Sequence, residues 1–414
     1  MNYLFIHQNF PGQFVHVAKI LADAPQHRVV GIGEAHNLKG KPPIHPRIVT
    51  LAYEPHGAGR TETHHYVRDF ESHIRRGQSL ARVLLKLRQQ GFLPEVIVVH
   101  PGWGEALFVK DVFPEARLIA YCEYYYQGAG GDVGFDPEFP AELDDRLRVR
   151  VKNSTQLLSL VAADQGISPT HWQRSRYPGE FQGKIEVIHD GIDTEKVAPD
   201  SRAWVEVDGR RFRAGDEVVT YVARNLEPYR GFHVFMRALP GVLDRRPDAH
   251  VLIVGGDDIS YGKRLSEGET YRARYLAELG DRVDWSRVHF LGRLPYNDYL
   301  KVLQVSAAHV YLTYPFVLSW SMLEAMAAGC FLVASDTQPV REVIRDRENG
   351  RLVGFFDYDG LADIISAALA SPVNQLPLRE SARRTILARY DLKTQCLPRL
   401  QQFINGQGQQ PQKP

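Results

Sequence analysis

Short apolar runs recur along this 414-residue chain, each bounded by polar or turn-forming residues and separated from the next by stretches with helical spacing. In the first half they are Tyr3 to His7, Arg28 to Ile32, Val96 to His100, Leu118 to Cys122 and Ile185 to Ile188. In the second half they are Val218 to Val222, Val251 to Val254, Val288 to Leu291, Ala308 to Leu312 and Phe331 to Ala334, with helices such as Phe232 to Leu243 between them. A strand that is apolar at consecutive positions needs cover on both faces, which parallel sheets built from βαβ units provide. One hydrophobic core rarely organises a chain this long. The alternation therefore predicts an α/β protein of two doubly wound parallel-sheet domains.

The turn-forming segment His189-Asp-Gly-Ile-Asp-Thr194 suits the join, which predicts domains at 1–193 and 194–380. Residues 381–404 read as helical apart from Pro398, and the Gly-, Gln- and Pro-rich residues 405–414 as a disordered tail. Fifty Lys plus Arg balance 49 Asp plus Glu, which gives no global signal for nucleic acid. Cys122, Cys330 and Cys396 are too few and too scattered for a disulfide framework and point to a reducing, cytoplasmic setting. The N-terminus lacks a basic leader, and no run of eighteen apolar residues suggests a membrane span. Residues 64–92 form a long helical pattern with Arg68, Arg75, Arg76, Arg82, Lys86 and Arg88 beside Leu80, Leu84, Leu85 and Leu87. That pattern fits either a solvated helix or a peripheral contact with the inner face of a membrane.

Chemistry concentrates between residues 313 and 336. Pro315 interrupts the chain, Met322 to Ala328 favour helix, Gly329 suits its end, and Phe331 to Ala334 form a buried strand. Glu324 has two readings: Ser321-Met-Leu-Glu324 matches a capping box, and a carboxylate beside a helix start also suits sugar hydroxyls next to a bound phosphate. Upstream, Tyr221-Val-Ala-Arg-Asn-Leu-Glu-Pro-Tyr-Arg-Gly231 places Arg224 and Arg230 in a loop after a strand, where two fixed cations suit a diphosphate.

Together these motifs resemble the nucleotide-sugar site of the family-4 retaining glycosyltransferases, which have the GT-B architecture. Arg224 matches the first basic residue of that family's Gly-Arg loop, Arg230 stands where lysine is usual, and Glu324-Ala-Met-Ala-Ala-Gly329 matches the end of its Glu-x7-Glu motif. The position eight residues before Glu324 is Phe316, where many members carry the first glutamate and where that residue touches the donor sugar. The resemblance implies two Rossmann-like domains facing a cleft, with a C-terminal helix crossing back to the first. It further implies a glycine loop at Gly12 and an N-domain histidine near the donor sugar at His100. Glu324 would hold the ribose, Gly255, Gly256, Arg293 and Leu294 would lie along the nucleotide, and Ser319, Trp320 and Ser321 would meet the diphosphate.

Glu123, Tyr125 and Asp132, in an aromatic and glycine-rich segment after a strand, are candidates for sugar recognition, although the tyrosines suit a plain core equally. Asp357-Tyr-Asp359 has the letters of a metal motif, but Asp359 reads better as an N-cap and His64-His65 as a solvated pair, so no obligatory metal is expected. The expected reaction moves a sugar from a UDP- or GDP-sugar to a hydroxyl on a glycan, lipid-linked or small-molecule acceptor, with retention of configuration. The alternatives are an inactive nucleotide-sugar-binding partner subunit, or an epimerase or phosphorylase of the same architecture.

Overall fold

A computed structural model of the chain describes residues 1–57 and 63–406. The expected tail therefore lies mostly outside the described residues; Asn405 and Gly406 close the last helix. The chain divides into two compact units, each described separately. Unit 1 comprises Met1–Gly134, Pro140–Gly191 and Lys393–Pro414, and unit 2 comprises Phe135–Phe139 and Ile192–Leu392.

Unit 1 carries seven strands: β1 (Asn2–Ile6), β2 (Arg28–Glu34), β3 (Ile48–Tyr53), β4 (Val96–Val99), β5 (Arg117–Tyr121), β6 (Gln165–Ser168) and β7 (Ile185–Val187). All pair in parallel, in the order 3-2-1-4-5-6-7. Within β1, Leu4 and Ile6 join one core cluster while Tyr3 and Phe5 join another, because successive side chains leave opposite faces of a strand. Leu400 and Ile404, from the helix Leu397–Ile404, belong to the second cluster. Arg117 donates to the carbonyls of Phe403 and Ile404 and ties that helix to β5.

The basic helix, Arg68–Gln89, buries Leu80, Leu84 and Leu87 in the core. Arg76 pairs with Glu34, Arg75 with Glu71, and Arg88 donates to the Val112 carbonyl. Most of the apolar stripe that suggested a membrane contact thus faces the protein. Among the described residues no helix is long and apolar enough to cross a membrane.

Unit 2 opens with a hairpin, β8 (Trp204–Val207) and β9 (Arg210–Arg213), whose Asp208-Gly209 turn has positive φ at both residues. Its main sheet holds β10 (Val218–Asn225), β11 (His250–Gly256), β12 (Val288–Gly292), β13 (Ala308–Tyr311), β14 (Leu332–Ser335) and β15 (Arg351–Val353). These also run parallel, in the order 12-11-10-13-14-15. Both sheets are doubly wound, and each reverses its order once, between β1 and β4 in unit 1 and between β10 and β13 in unit 2.

Candidate nucleotide-sugar site

Ligands of doubly wound sheets collect at the carboxyl ends of strands where the order reverses. In unit 2 those ends carry the loop after β10 and the segment after β13. The first loop makes a single 3-10 turn, Pro228–Arg230, then reaches Gly231 at φ 69°. A Cβ there would lie 2.3 Å from the Leu312 Cβ, so only glycine lets the loop settle beside the end of β13. Arg224, expected in the loop, instead lies near the end of β10; it is exposed, and its side chain has no hydrogen bond or ion pair among the described residues. Arg230 is half-buried, and its Nη1 donates to Thr313 Oγ1 (2.8 Å), the Val317 carbonyl (2.9 Å) and the Tyr311 hydroxyl (3.3 Å). This arginine braces the segment after β13 as well as supplying charge.

That segment leads into the helix Trp320–Ala327, whose N-cap is Ser319, accepting from the Ser321 N–H. The capping-box reading of Ser321 and Glu324 is therefore corrected: the cap lies two residues earlier, and Glu324 does not turn back to the helix start. Its carboxylate instead accepts from Tyr296 (2.6 Å, on Oε1) and Tyr299 (2.8 Å, on Oε2). Burial and the Glu324 charge raise the pKa values of both phenols. The cap also directs the Ser321 N–H inward, so among the diphosphate candidates Trp320, with 43% of its surface exposed, is the more open.

Phe316 is buried between Tyr229 and Tyr261, with ring centroids 5.5 and 4.8 Å away. Tyr261 is held there by Glu227, a buried carboxylate that accepts from the N–H groups of Ser260, Tyr261 and Gly262. Sequence reasoning passed over Glu227, because its three partners are some thirty residues away and are backbone groups. Gly255 and Gly256 owe their lack of a side chain to protein neighbours, since a Cβ on the first would meet Leu226 and the Ala223 carbonyl, and on the second Arg293 and Asn225. Arg293 donates to Asn225 and Asp258, and Leu294 is partly buried against the core.

In unit 1, His7, His100 and Glu123 follow β1, β4 and β5. His100, which the resemblance puts near the donor sugar, is only 3% exposed. Its Nδ1 accepts from the Gly102 N–H, so its Nε2 carries the proton and faces Glu123 Oε2 at 3.2 Å. Its ring stacks on Trp103 and meets His7 edge-on. Gln13 donates to the other oxygen of Glu123. Gly12 has φ 51°, and a Cβ there would fall on the His7 ring, at 2.6–2.7 Å from three of its atoms. That glycine is required by its own domain, whatever approaches it. Gly12, His100 and Glu123 come together, whereas Tyr125 packs against the core near Tyr177 and Asp132 is buried, accepting from Tyr124. The last two are not placed as open sugar ligands.

Among the described residues one group could hold a metal ion: Asp136, Glu138 and His233, all in unit 2. Its two carboxylates have protein partners. Asp136 takes the Tyr314 hydroxyl and the Glu138 N–H, and lies 2.9 Å from His233 Nε2, while Arg237 grips Glu138. Burial alone would raise the Asp136 pKa, but His233 and Tyr314 outweigh it and hold the carboxyl below the usual range. Asp357 rather than Asp359 caps the helix Tyr358–Ala370.

Two family models match the chain, "Glycosyl transferase family 4 group" over residues 25–197 and "Glycosyl transferases group 1" over residues 206–386. Among curated relatives, a phosphatidyl-myo-inositol mannosyltransferase of Mycobacterium leprae is 34% identical over 42% of this chain and 43% of its own length. The chain spans about half the length of such relatives. A GDP-mannose-dependent alpha-(1-6)-phosphatidylinositol monomannoside mannosyltransferase of Mycobacterium tuberculosis is 24% identical over 77% of this chain and 79% of its own. Among solved structures, a sucrose-phosphate synthase from Thermosynechococcus elongatus has a TM-score of 0.74 at 18% identity, covering 98% of each chain. The Anabaena protein HepE, solved in complex with UDP-glucose, has a TM-score of 0.65 at 17% identity and the same coverage.

Proposed function

Since the chain belongs to the family-4 glycosyltransferases, with the GT-B fold, we propose that it moves a sugar from a nucleoside diphosphate sugar to an acceptor hydroxyl with retention of configuration. The observation that carries this reading is that Arg224 stands at the carboxyl end of β10, Arg230 on the loop that follows it, and Trp320 and Glu324 on the helix reached from β13. The chief electrostatic demand of such a transfer is the charge that builds on the departing diphosphate. Arg224 supplies an exposed guanidinium, Arg230 a cation already braced in position, and the helix start at Trp320 adds the positive end of its dipole. These groups neutralise the leaving group without a metal, and Glu324 holds the ribose.

Retention is assigned to attack on the face from which the diphosphate leaves, with a departing phosphate oxygen taking the acceptor proton. The names of the mannosyltransferase relatives favour a GDP-hexose donor and a lipid-linked polyol acceptor. His100 and Glu123, with Gly12 beside them, form the polar group of unit 1 suited to sugar hydroxyls. Phe316 puts an aromatic ring where a carboxylate is usual, which favours one second reading: a partner subunit that binds nucleotide sugar without turnover.

The test is a panel of UDP-, GDP-, ADP- and dTDP-sugars without acceptor, with and without EDTA, following binding and nucleotide release. Slow release from one donor, unaffected by EDTA, is expected. Binding without release under any condition, including added lipid acceptors, selects the partner-subunit reading, and binding of no donor refutes both. Glu324→Ala should weaken nucleotide binding by about 1.5–3 kcal/mol, the scale of hydrogen bonds to a charged group.

A further inference from the structure

Tyr296 and Tyr299 lie one turn apart on the helix Tyr296–Gln304, so their phenols point the same way. Each donates to a different oxygen of Glu324. Tyr299 is 8% exposed and Tyr296 43%, and the Lys196 ammonium sits 4.5 Å over the Tyr296 ring. The carboxylate is thus braced from one side by a buried phenol and a half-open one, while its own helix buries Met322, Leu323 and Ala325 beneath it.

A carboxylate offers about four lone-pair positions, two on each oxygen. One phenol on each oxygen leaves an acceptor position on each. Two neighbouring hydroxyls on one ring match that pair, because each can donate to its own oxygen at the same time. A lone hydroxyl fills half of it, and an anion is repelled.

We infer that Tyr296 and Tyr299 are positioning residues that set Glu324 as a receptor for a vicinal cis-diol, so that the protein selects its nucleotide by the intact 2′,3′-diol of the ribose. This rests on the nucleotide-sugar reading above. Without the phenols the carboxylate is free to rotate about its side-chain bonds, and its two remaining positions no longer face the diol together. The phenols act through Glu324 and touch no reacting atom.

The experiment is calorimetric titration of the full-length protein with GDP, UDP and ADP and with their 2′,3′-dideoxy forms, on the parent, Tyr296→Phe, Tyr299→Phe and the double variant. The parent should prefer a ribonucleotide over its dideoxy form by at least tenfold. Each Phe variant should lower that preference several-fold and the double variant should nearly abolish it, while dideoxy affinity changes less than twofold. A merely structural role would weaken both forms alike and leave the ratio intact. An unchanged ratio in the Phe variants overturns the inference, as does a parent that does not discriminate. Binding of no ribonucleotide by the parent, ADP included, refutes the nucleotide-sugar reading itself, and the inference with it. If the buried position tolerates the change poorly and Tyr299→Phe melts early, Tyr296→Phe at the half-exposed position decides the matter alone.

Discussion

Replacing Glu227 by alanine should release the chain after β11. The carboxylate is 1% exposed and accepts from three consecutive N–H groups, at 3.2 Å from Ser260, 3.0 Å from Tyr261 and 2.8 Å from Gly262 on Oε2. A hydrogen bond to a charged group contributes roughly 1.5–3 kcal/mol, but three bonds sharing one carboxylate are not additive and water reaches a half-buried loop, so the expected loss is about 3 kcal/mol. For a unit of this size that lowers the unfolding midpoint by about 6–12 °C. Glu227→Gln keeps one acceptor oxygen and turns a donor toward the other amides, so it should lie between the parent and the alanine variant. The local readout is hydrogen exchange at the amides of residues 260–262, which should speed up in both variants, because their acceptor is weakened or lost. Tyr261 should also leave its place against Phe316, and donor affinity should fall with it. An alanine variant within about 1 kcal/mol of the parent, with those amides still protected, would refute the assignment of the loop's order to this carboxylate.

Gly12→Ala puts a methyl group on the His7 ring at a positive φ, and overpacking plus backbone strain should cost about 2–4 kcal/mol, read by urea unfolding. Burial holds His7 and His309 down to about 3, and His73 and His189 down to about 4. A free imidazole titrates near 6.5, so the unfolded chain binds more protons between those values. Stability is full above pH ~6.5 and falls as pH drops toward 4, by up to about 1.4 kcal/mol per pH unit for each such histidine. Equal urea stability at pH 7.5 and 5.5 would contradict this. Arg230→Lys keeps the charge but cannot reach Thr313, Val317 and Tyr311 together, so residues 313–319 should exchange faster even without ligand.

The ten strands expected from apolar runs all form, because a strand covered on both faces is apolar at nearly every position and declares itself locally. β3 does not declare itself in this way, since Thr50 breaks its apolar run and its edge position leaves Val49 exposed. The hairpin at Asp208-Gly209 is legible in principle, as that dipeptide between alternating residues is a hairpin signal. The site divides in the same way. Arg224, Arg230 and Glu324 stand in contiguous motifs, whereas the tyrosines that hold Glu324 lie 28 and 25 residues upstream on another helix, with no local pattern linking them to it. Ser319 and Ser321 flank one tryptophan and have the same capping chemistry, so the local sequence does not separate them; in the fold Ser319 is the cap.

Phe135–Phe139 is counted with unit 2 although residues on both sides belong to unit 1, and Lys393 onward returns to unit 1 after unit 2 is complete. A ribosome delivers these pieces in a fixed order. When the last residue of unit 2 emerges, the sheet of unit 1 still lacks the helix whose Leu400 and Ile404 fill its core. The first unit begun is therefore the last finished, and the ordinary expectation that an N-terminal domain folds before its successor is synthesised does not hold. A chain cut after residue 392 should leave unit 1 with an open apolar face, and a fragment of residues 192–392 should leave His233 and Tyr314 without Asp136. Neither unit is encoded by one uninterrupted stretch, so the two are inherited, expressed and lost together.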